Sequence, residues 1–195
     1  MKKSYLFIIL FALFIISLFI DEYASISIVK IRPPILTKLM IIVSNLATIT
    51  SMAVIAIILS LSIVYSKRAK KYLPGMIISL IVSSLLVVLI KDISKRPRPF
   101  IGLGIEPLEN KSNYSFPSGH ANSVFSLIPF INIYFKKFRY IWIIFAILVS
   151  FSRVYLGVHY LSDVIFSMIL GLSISYLFIY IENKYNISRL LNIKK

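Results

Sequence analysis

The chain contains two histidines, His120 and His159, and each lies in a short polar run that interrupts an apolar sequence. Near neutral pH an imidazole can attack a reacting atom as a nucleophile or protonate it as an acid. Asp163 follows His159 by four residues, so their side chains share one face if the segment is a continuous helix. Asp163 would then accept a hydrogen bond from one ring nitrogen and leave the lone pair of the other directed outward. This spacing indicates covalent catalysis.

Arg153 precedes this pair in the motif Ser152-Arg153-x5-His159-x3-Asp163. The alternative interpretation is a structural His–Asp pair that closes two helix ends. An arginine or aspartate at the centre of a bilayer costs about 2.5–3.5 kcal/mol, and less toward the interface. A structural role for all three side chains together is therefore less favoured than for any one of them.

The segment Lys91–Pro99 carries four basic residues, among them Lys91 and Arg98. Arginine presents a planar fork of donors that suits phosphate oxygens, and lysine presents a compact charge. The prolines on both sides of Arg98 restrict the direction of its side chain. The alternative is a basic helix end that meets lipid headgroups.

The run Pro117-Ser118-Gly119-His120 stands before an apolar stretch and predicts the start of a helix. Ser118 suits the N-cap, and Gly119 allows the backbone to approach a ligand closely. Helix N-termini present free amides and a partial positive charge, which bind anions. The alternative is a plain capping turn with an interfacial histidine. Together the three motifs indicate the binding and transfer of phosphate.

The composition places these motifs in a membrane protein. The mean hydropathy of +0.88 and the 58% of hydrophobic residues lie outside the range of soluble domains. The length allows one helical bundle over residues 1–195, and the absence of cysteine excludes disulfides and thiolate metal sites. The net charge of +15 would suggest nucleic acid for a soluble protein. Because the basic residues gather in short loops between apolar runs, we expect no nucleic-acid partner.

A membrane-spanning helix needs about 20 predominantly apolar residues. The sequence predicts an all-α, polytopic membrane bundle of six transmembrane helices: Tyr5–Ile20, Leu39–Tyr65, Leu73–Ile90, Gly119–Phe135, Phe138–Val158 and Tyr160–Ile181. The longest polar connection, roughly Lys91 to Ser118, contains several turn-forming residues and is predicted to be a structured loop.

Charge sets the predicted orientation. With the N-terminus inside, the inner segments hold thirteen of the 22 basic residues and the outer segments hold six of the seven acidic residues. The positive-inside rule then places both termini in the cytoplasm. All three motifs fall on the outer side, although the spans were assigned without them. The alternative of a cleaved signal peptide at the N-terminus is disfavoured by the long first apolar run and the lack of an Ala-x-Ala site.

In this order, the patterns Lys-x6-Arg-Pro, Pro-Ser-Gly-His and Ser-Arg-x5-His-x3-Asp resemble the signature of the type 2 phosphatidic acid phosphatase (PAP2) superfamily. Every specified position matches between Lys91 and Asp163, and the six-span plan extends the resemblance along the chain. Leu161 stands where many members have proline, and Ser167 stands where glycine is frequent. Neither position is catalytic.

The resemblance implies a membrane lipid phosphatase that works through a phosphohistidine intermediate. His159 would be the nucleophile, Asp163 its orienting group and His120 the acid that protonates the leaving oxygen. The residues implied to bind the phosphate are Lys91, Arg98, Ser118, Gly119 and Arg153. Fixed cations stabilise the charge on the phosphoryl oxygens in the transition state, so we expect activity without a metal or other cofactor.

An outward-facing site on the cell membrane fits a lipid phosphate, and undecaprenyl diphosphate is the expected substrate. The alternatives within the superfamily are phosphatidic acid, phosphatidylglycerol phosphate and lipid A phosphates. A lipid phosphotransferase is a further alternative, as is a non-enzymatic lipid-binding or transport protein, which the complete set of catalytic residues disfavours. The loop Ile101–Ser115 is predicted to shape selectivity. The predicted partners are the lipid substrate and the surrounding membrane lipids.

Overall fold

A computed structural model describes residues 3–64, 70–186 and Ser188. Within these residues the chain forms eight α-helices: α1 (Lys3–Lys30), α2 (Pro34–Asn45), α3 (Ile49–Val64), α4 (Leu73–Ser94), α5 (Pro99–Gly102), α6 (Gly119–Tyr134), α7 (Arg139–Tyr155) and α8 (Leu161–Tyr185). Single 3₁₀ turns precede α4 and α7. No strand occurs in these ranges, so the predicted all-α class is confirmed for them.

Four helical segments are long and apolar enough to cross a membrane: Ser4–Lys30, Leu73–Gly102, Lys136–Tyr155 and Leu161–Tyr185. Two shorter apolar helices, Pro34–Asn45 and Met52–Leu61, accompany them. The chain is therefore a helical membrane protein, while six complete spans and their orientation stay predictions. Of the basic residues used for the orientation, Lys67, Arg68 and Arg189 are among those outside the described residues.

The second predicted span, Leu39–Tyr65, is not one continuous helix. A turn at residues 46–48 divides it between α2 and α3. The turn escapes a hydropathy scan because Leu46 and Ala47 are apolar, and the bend is made by main-chain hydrogen bonds. Ala47 packs into the core with 2% of its surface exposed. The last residue of that span, Tyr65, lies outside the described residues.

The first predicted span, Tyr5–Ile20, is only part of α1, which continues through Asp21 and Glu22 to its end at Lys30. Asp21 is buried because its carboxylate is paired with Arg96 at 2.7 Å. A paired charge can lie within an apolar helix, so Asp21 does not end α1. Helix α1 packs along α8 over this length.

Helix α6 lies at the centre of the bundle and packs against α4, α7 and α8. The backbones of α6 and α8 approach each other closely at Gly171 of α8. A Cβ atom at that position would lie 2.6 Å from the main-chain oxygen of Asn122 and 3.0 Å from the amide nitrogen of Ser126. Small residues of this kind let helix backbones approach closely within a membrane.

Four neutral polar residues, which we call the serine cluster, join α4, α6 and α8 beside this crossing: Ser83, Asn122, Ser126 and Ser175. Asn122 Nδ2 donates to Ser83 Oγ at 3.1 Å, and the hydroxyls of Ser83 and Ser126 are 3.2 Å apart. Ser175 Oγ donates to the main-chain oxygen of Ser126 at 2.6 Å. The cluster holds the three helices in register.

The ends of α4 and α7 meet the starts of α6 and α8 at one end of the bundle. The Ser118 amide, at the start of α6, lies 3.4 Å from the main-chain oxygen of Asp163 in α8. Arg98 Nη1, shortly after α4, donates to the main-chain oxygen of Val158, shortly after α7, at 2.5 Å. We call this region, residues 91–120 and 153–163, the motif end. The structure therefore brings the three sequence motifs together.

Candidate active site

His159 lies in the turn between α7 and α8, before α8 begins at Leu161. The continuous helix that would put His159 and Asp163 on one face is therefore not formed, in keeping with the predicted spans, which end at Val158 and begin again at Tyr160. The two side chains still meet, with His159 Nδ1 3.4 Å from Asp163 Oδ2, at ion-pair distance and without hydrogen-bond geometry. The carboxylate reaches back because Asp163 lies in the first turn of α8, where it accepts a hydrogen bond from the Tyr160 amide at 2.9 Å.

Asp163 is fully buried and surrounded by donors. Ser115 Oγ donates to Oδ2 at 2.5 Å, and Arg96 Nη1 donates to Oδ1 at 2.7 Å. With the Tyr160 amide, three donors point at this carboxylate and hold it in place. Asp163 is therefore suited to orient His159 and to balance a positive charge on its ring.

The other ring nitrogen of His159 faces a cation. Its Nε2 atom lies 3.4 Å from Arg98 Nη1. Burial lowers the pKa of His159 well below the ordinary value, and the positive charges of Arg98 and Arg153 lower that pKa further. The imidazole is therefore neutral, with Nε2 beside a group that attracts anions.

Arg98 is fixed by the loop before α6 and by the turn before α8. Its Nε and Nη2 atoms donate to the main-chain and side-chain oxygens of Asn113, at 2.7 and 2.5 Å. Its Nη1 atom donates to the Val158 carbonyl, as described above. With 3% of its surface exposed, Arg98 keeps its charge in a site shielded from solvent.

Lys91 lies in the last turn of α4, and its ammonium group donates to the carbonyls of Tyr114 at 2.6 Å and Ser115 at 3.2 Å. These bonds attach α4 to the loop before α6. Since the Ser115 hydroxyl binds Asp163, Lys91 also supports the orienting carboxylate.

Arg153 is fully buried in the last turn of α7. Its Nη1 atom donates to the Ser44 hydroxyl and lies 2.7 Å from Glu109 Oε2. Glu109 Oε1 is in turn 2.6 Å from Lys111 Nζ. Burial raises the pKa of Glu109, but the charges of Arg153 and Lys111 lower that pKa by more, so the carboxylate is ionised. Glu109, in the loop before α6, therefore forms an ion pair with Arg153, one of the predicted phosphate-binding residues.

Helix α6 begins at Gly119 as predicted, and Ser118 occupies the N-cap position. The expected side-chain cap does not form, since the Ser118 hydroxyl bonds to no group in the part of the chain that the structure describes. Ser118 is anchored instead through its amide, which donates to Ser167 Oγ at 2.7 Å. Ser167 Oγ donates to the main-chain oxygen of Asp163 at 2.6 Å. Ser167 thus connects the starts of α6 and α8 by hydrogen bonds.

His120 is the second residue of α6. Four buried polar groups of the motif end make no hydrogen bond to any described residue: Ser118 Oγ, His120 Nε2, Arg153 Nε and His159 Nδ1. A buried donor or acceptor left without a partner costs about 1–3 kcal/mol. Because His159 Nδ1 faces Asp163, the other three groups, beside three cations, indicate a site for a polar ligand.

Three residues outside the predicted set complete the arrangement: Asp21, Arg96 and Glu109. Asp21 is recognisable in the sequence as a residue that needs a partner, because a carboxylate within an apolar helix is expensive unless it is paired. Arg96 is one of four basic residues in its segment, and its position does not distinguish it from the others. Glu109 stands in a polar loop, where an acidic residue is ordinary and gives no signal.

Comparison with known proteins shows which family the chain resembles in sequence and fold. The family model described as the PAP2 superfamily matches residues 72–187. Phosphatidylglycerophosphatase B of Bacillus subtilis is 30% identical over 170 residues, which are 80% of this chain and 80% of the relative. An undecaprenyl-diphosphatase of Sulfolobus acidocaldarius is 36% identical over 124 residues, 60% of this chain and 58% of the relative. The crystal structure of a PAP2 type phosphatidylglycerolphosphate phosphatase from Bacillus subtilis has a TM-score of 0.76 at 26% identity and covers 92% of this chain and 96% of its own.

Proposed function

The chain belongs to the PAP2 superfamily of lipid phosphatases, and from this premise we propose that it hydrolyses undecaprenyl diphosphate through a phosphohistidine at His159. The observation that carries the proposal is the position of the His159 ring, which lies between Asp163 at Nδ1 and Arg98 at Nε2. A neutral imidazole held in this way has a carboxylate on one side and an anion-attracting cation on the other. This is the arrangement that a phosphoryl-accepting nucleophile requires.

In the first step, His159 Nε2 attacks the terminal phosphorus, and the bond from that phosphorus to the bridging oxygen breaks. His120 donates a proton to the leaving oxygen, and Asp163 balances the positive charge on the His159 ring. In the second step, a water molecule attacks the phosphohistidine while His120 takes its proton. Inorganic phosphate leaves, and His159 returns to its neutral form.

Three cations, Lys91, Arg98 and Arg153, hold the phosphoryl oxygens in this proposal. The transition state of phosphoryl transfer spreads charge over these oxygens, so fixed positive groups supply much of the stabilisation. The Ser118 hydroxyl and the Gly119 amide add uncharged donors. Ser118 Oγ and Arg153 Nε are buried without a partner among the described residues, and phosphate oxygens would accept a hydrogen bond from each. We therefore expect activity in the presence of a metal chelator.

We propose that the motif end faces the outer side of the cell membrane and that both termini are cytoplasmic. The bias of basic residues toward the opposite segments supports this orientation. A lipid whose headgroup enters at the motif end would keep its tail against apolar helix surfaces. The exposed side chains of α1 and α4 suit such contact, for example Ile8, Phe19 and Leu85.

Phosphatidylglycerol phosphate is a second candidate substrate, favoured by the similarity to phosphatidylglycerophosphatase B over 80% of the chain. The two lipids differ in the group that leaves. A diphosphate releases a phosphate, which is a weak base, whereas a phosphate monoester releases an alkoxide that must be protonated. The monoester reaction should therefore depend far more strongly on His120.

The test is a phosphate-release assay on the purified protein in detergent micelles with a chelator present. It compares undecaprenyl diphosphate, phosphatidylglycerol phosphate and phosphatidic acid, with His159→Asn as the control for contaminating phosphatases. We expect the largest kcat/KM for undecaprenyl diphosphate. A larger value for phosphatidylglycerol phosphate would assign the second candidate. Transfer of the phosphate to an added alcohol in preference to water would identify a phosphotransferase.

A further inference from the structure

Helix α1 contributes a buried carboxylate to the start of α8. Asp21 is 3% exposed, and its Oδ1 atom accepts a hydrogen bond from the Ser162 amide at 2.8 Å. Its Oδ2 atom accepts another from the Ser162 hydroxyl. Ser162 immediately precedes Asp163, so Asp21 is attached to the turn of the helix that carries the orienting carboxylate.

Arg96 lies between the two carboxylates. Its Nη2 atom is 2.7 Å from Asp21 Oδ2, and its Nη1 atom is 2.7 Å from Asp163 Oδ1. The guanidinium also stacks over the Tyr160 ring, 4.0 Å from its centroid. The side chain is 27% exposed, whereas the two carboxylates are almost fully buried. One positive charge is therefore shared by two negative ones.

This sharing matters for the charge available to His159. Arg96 alone beside Asp163 would form a pair with no net charge. With Asp21 present, the two carboxylates and one guanidinium carry a net charge of −1. When Nε2 bonds to phosphorus and the ring keeps its Nδ1 proton, the ring becomes cationic, and a net charge of −1 nearby balances it.

We propose that Asp21 and Arg96 are positioning residues that set the net charge beside His159 for this step: Asp21 offsets the charge of Arg96, so that the negative charge of Asp163 is left uncompensated and can balance the cationic ring. The inference rests on the proposed phosphohistidine mechanism. It makes α1 part of the support of the active site. Neither residue touches the phosphate, so both act through Asp163.

Single and double variants test the charge directly. Asp21→Asn leaves the three groups with no net charge, and we expect kcat to fall about 10- to 100-fold, as contacting charged residues couple by amounts of that order. Arg96→Gln leaves two unbalanced carboxylates, and kcat should also fall. The double variant Asp21→Asn/Arg96→Gln restores the net charge of −1, so its kcat should exceed that of Asp21→Asn. KM should change by less than about 3-fold throughout, because the phosphate-binding residues are untouched.

A merely structural network predicts the reverse, with the double variant as slow as the slower single variant or slower. That result, or a wild-type kcat for Asp21→Asn, overturns the inference. Glu22→Gln is the matched control, since it removes an exposed charge from the next residue of α1 and should keep the wild-type kcat. Unfolding temperatures identify variants that fail to fold, in which case Asp21→Ser, neutral and still able to accept a hydrogen bond, replaces Asp21→Asn with the same expectation.

His159→Gln separates this inference from the proposed function. If His159→Gln keeps activity, the phosphohistidine mechanism is wrong. If His159→Gln is inactive and the double variant shows no recovery, the mechanism stands and only the role of Asp21 and Arg96 is wrong.

Discussion

The serine cluster and the motif end both bury polar side chains in an apolar bundle, but they do so in different ways. In the serine cluster, neutral hydroxyl and amide groups bond to one another and to main-chain oxygens across α4, α6 and α8. At the motif end many of the buried side chains are charged. Four buried polar atoms there have no hydrogen-bond partner among the described residues, against one in the serine cluster, Asn122 Oδ1. The first arrangement is therefore nearly self-sufficient, and the second is not.

The difference shows which kind of buried polar group indicates function. A serine hydroxyl in a helix satisfies itself locally, as Ser126 Oγ does by donating to the main-chain oxygen of Asn122 at 2.8 Å. Such groups are inexpensive and serve helix packing. Buried cations with unpaired donors are expensive, and they persist where a ligand uses them. Variants in the motif end should therefore change the reaction, whereas variants in the serine cluster should change stability.

The largest expected effect is at His159. His159→Gln removes the proposed nucleophile, and kcat should fall about 10⁴-fold or more. His120→Gln removes the proposed acid, so kcat/KM, which reports formation of the phosphohistidine, should fall about 10²–10⁴-fold with a poor leaving group and much less with a good one. Steady-state values of kcat/KM for an alkyl and an aryl phosphate ester measure the difference. Equal losses of kcat/KM for the two esters in His120→Gln would contradict its role as the acid.

The next largest effect is at Arg98. Arg98→Lys keeps the charge but loses the fork, so kcat/KM should fall about 10- to 100-fold. Arg32→Lys is the matched control, because Arg32 also binds main-chain oxygens, those of Tyr155 and Glu106, whereas it is Arg98 whose Nη1 atom lies beside the His159 ring. It should lower the unfolding temperature without a comparable loss of kcat/KM. Similar losses of kcat/KM in both variants would mean that Arg98 acts by holding loops only.

Parts of the molecule differ in how well the sequence predicts them. The residues of the three motifs were identifiable, because charged and polar types at fixed spacing stand out against apolar helices. The number of predicted spans between the motifs indicated that all three lie at the same end of the bundle. The break between α2 and α3 was not predictable, because Leu46 and Ala47 are as apolar as a helix interior and the turn depends on main-chain bonds.

The supporting residues of the site were harder to predict than its central ones. Asp21 lies more than 70 positions from Arg96 in the sequence, and only packing of α1 on α8 brings them together. Glu109 looks like any loop carboxylate until Arg153 is found beside it. The residues that do chemistry are recognised by type and spacing, whereas the residues that tune them are recognised by contact.

The third prediction concerns the packing beside the serine cluster. Gly171→Ala should lower the free energy of unfolding by about 1–3 kcal/mol, because the new Cβ would lie 2.6 Å from the Asn122 carbonyl oxygen and the helices must separate. Gly75→Ala is the control, since its Cβ would meet Phe178 Cβ at an ordinary 3.7 Å. Thermal unfolding in one detergent compares the two. Equal unfolding temperatures would show that α6 and α8 do not pack as described.

A smaller effect is expected at Glu109, whose carboxylate pairs with Arg153 and would compete there with a phosphate in the proposed site. Glu109→Gln should lower the inhibition constant of inorganic phosphate by about 3- to 10-fold, as expected for loss of one half-buried ion pair. Because the pKa of Glu109 is lowered, the competing carboxylate stays ionised through the neutral range, and the effect should be seen at pH 7. Glu106→Gln, an exposed carboxylate of the same loop, is the control. Weaker phosphate inhibition in Glu109→Gln would show that Glu109 assists anion binding.

The smallest effect is expected within the serine cluster itself. Ser83→Ala removes one acceptor of Asn122 Nδ2 and one neighbour of Ser126, so the free energy of unfolding should fall by about 0.6 kcal/mol, the average for such bonds between membrane helices. The kcat should be unchanged, because every partner of Ser83 is neutral and none belongs to the phosphate site. A fall in kcat larger than about 3-fold would mean that α4 transmits changes from the cluster to Lys91, and that the two regions are not independent. A loss of stability without a loss of rate would support separate roles, with hydroxyl groups holding the helices and charges at their ends acting on the substrate.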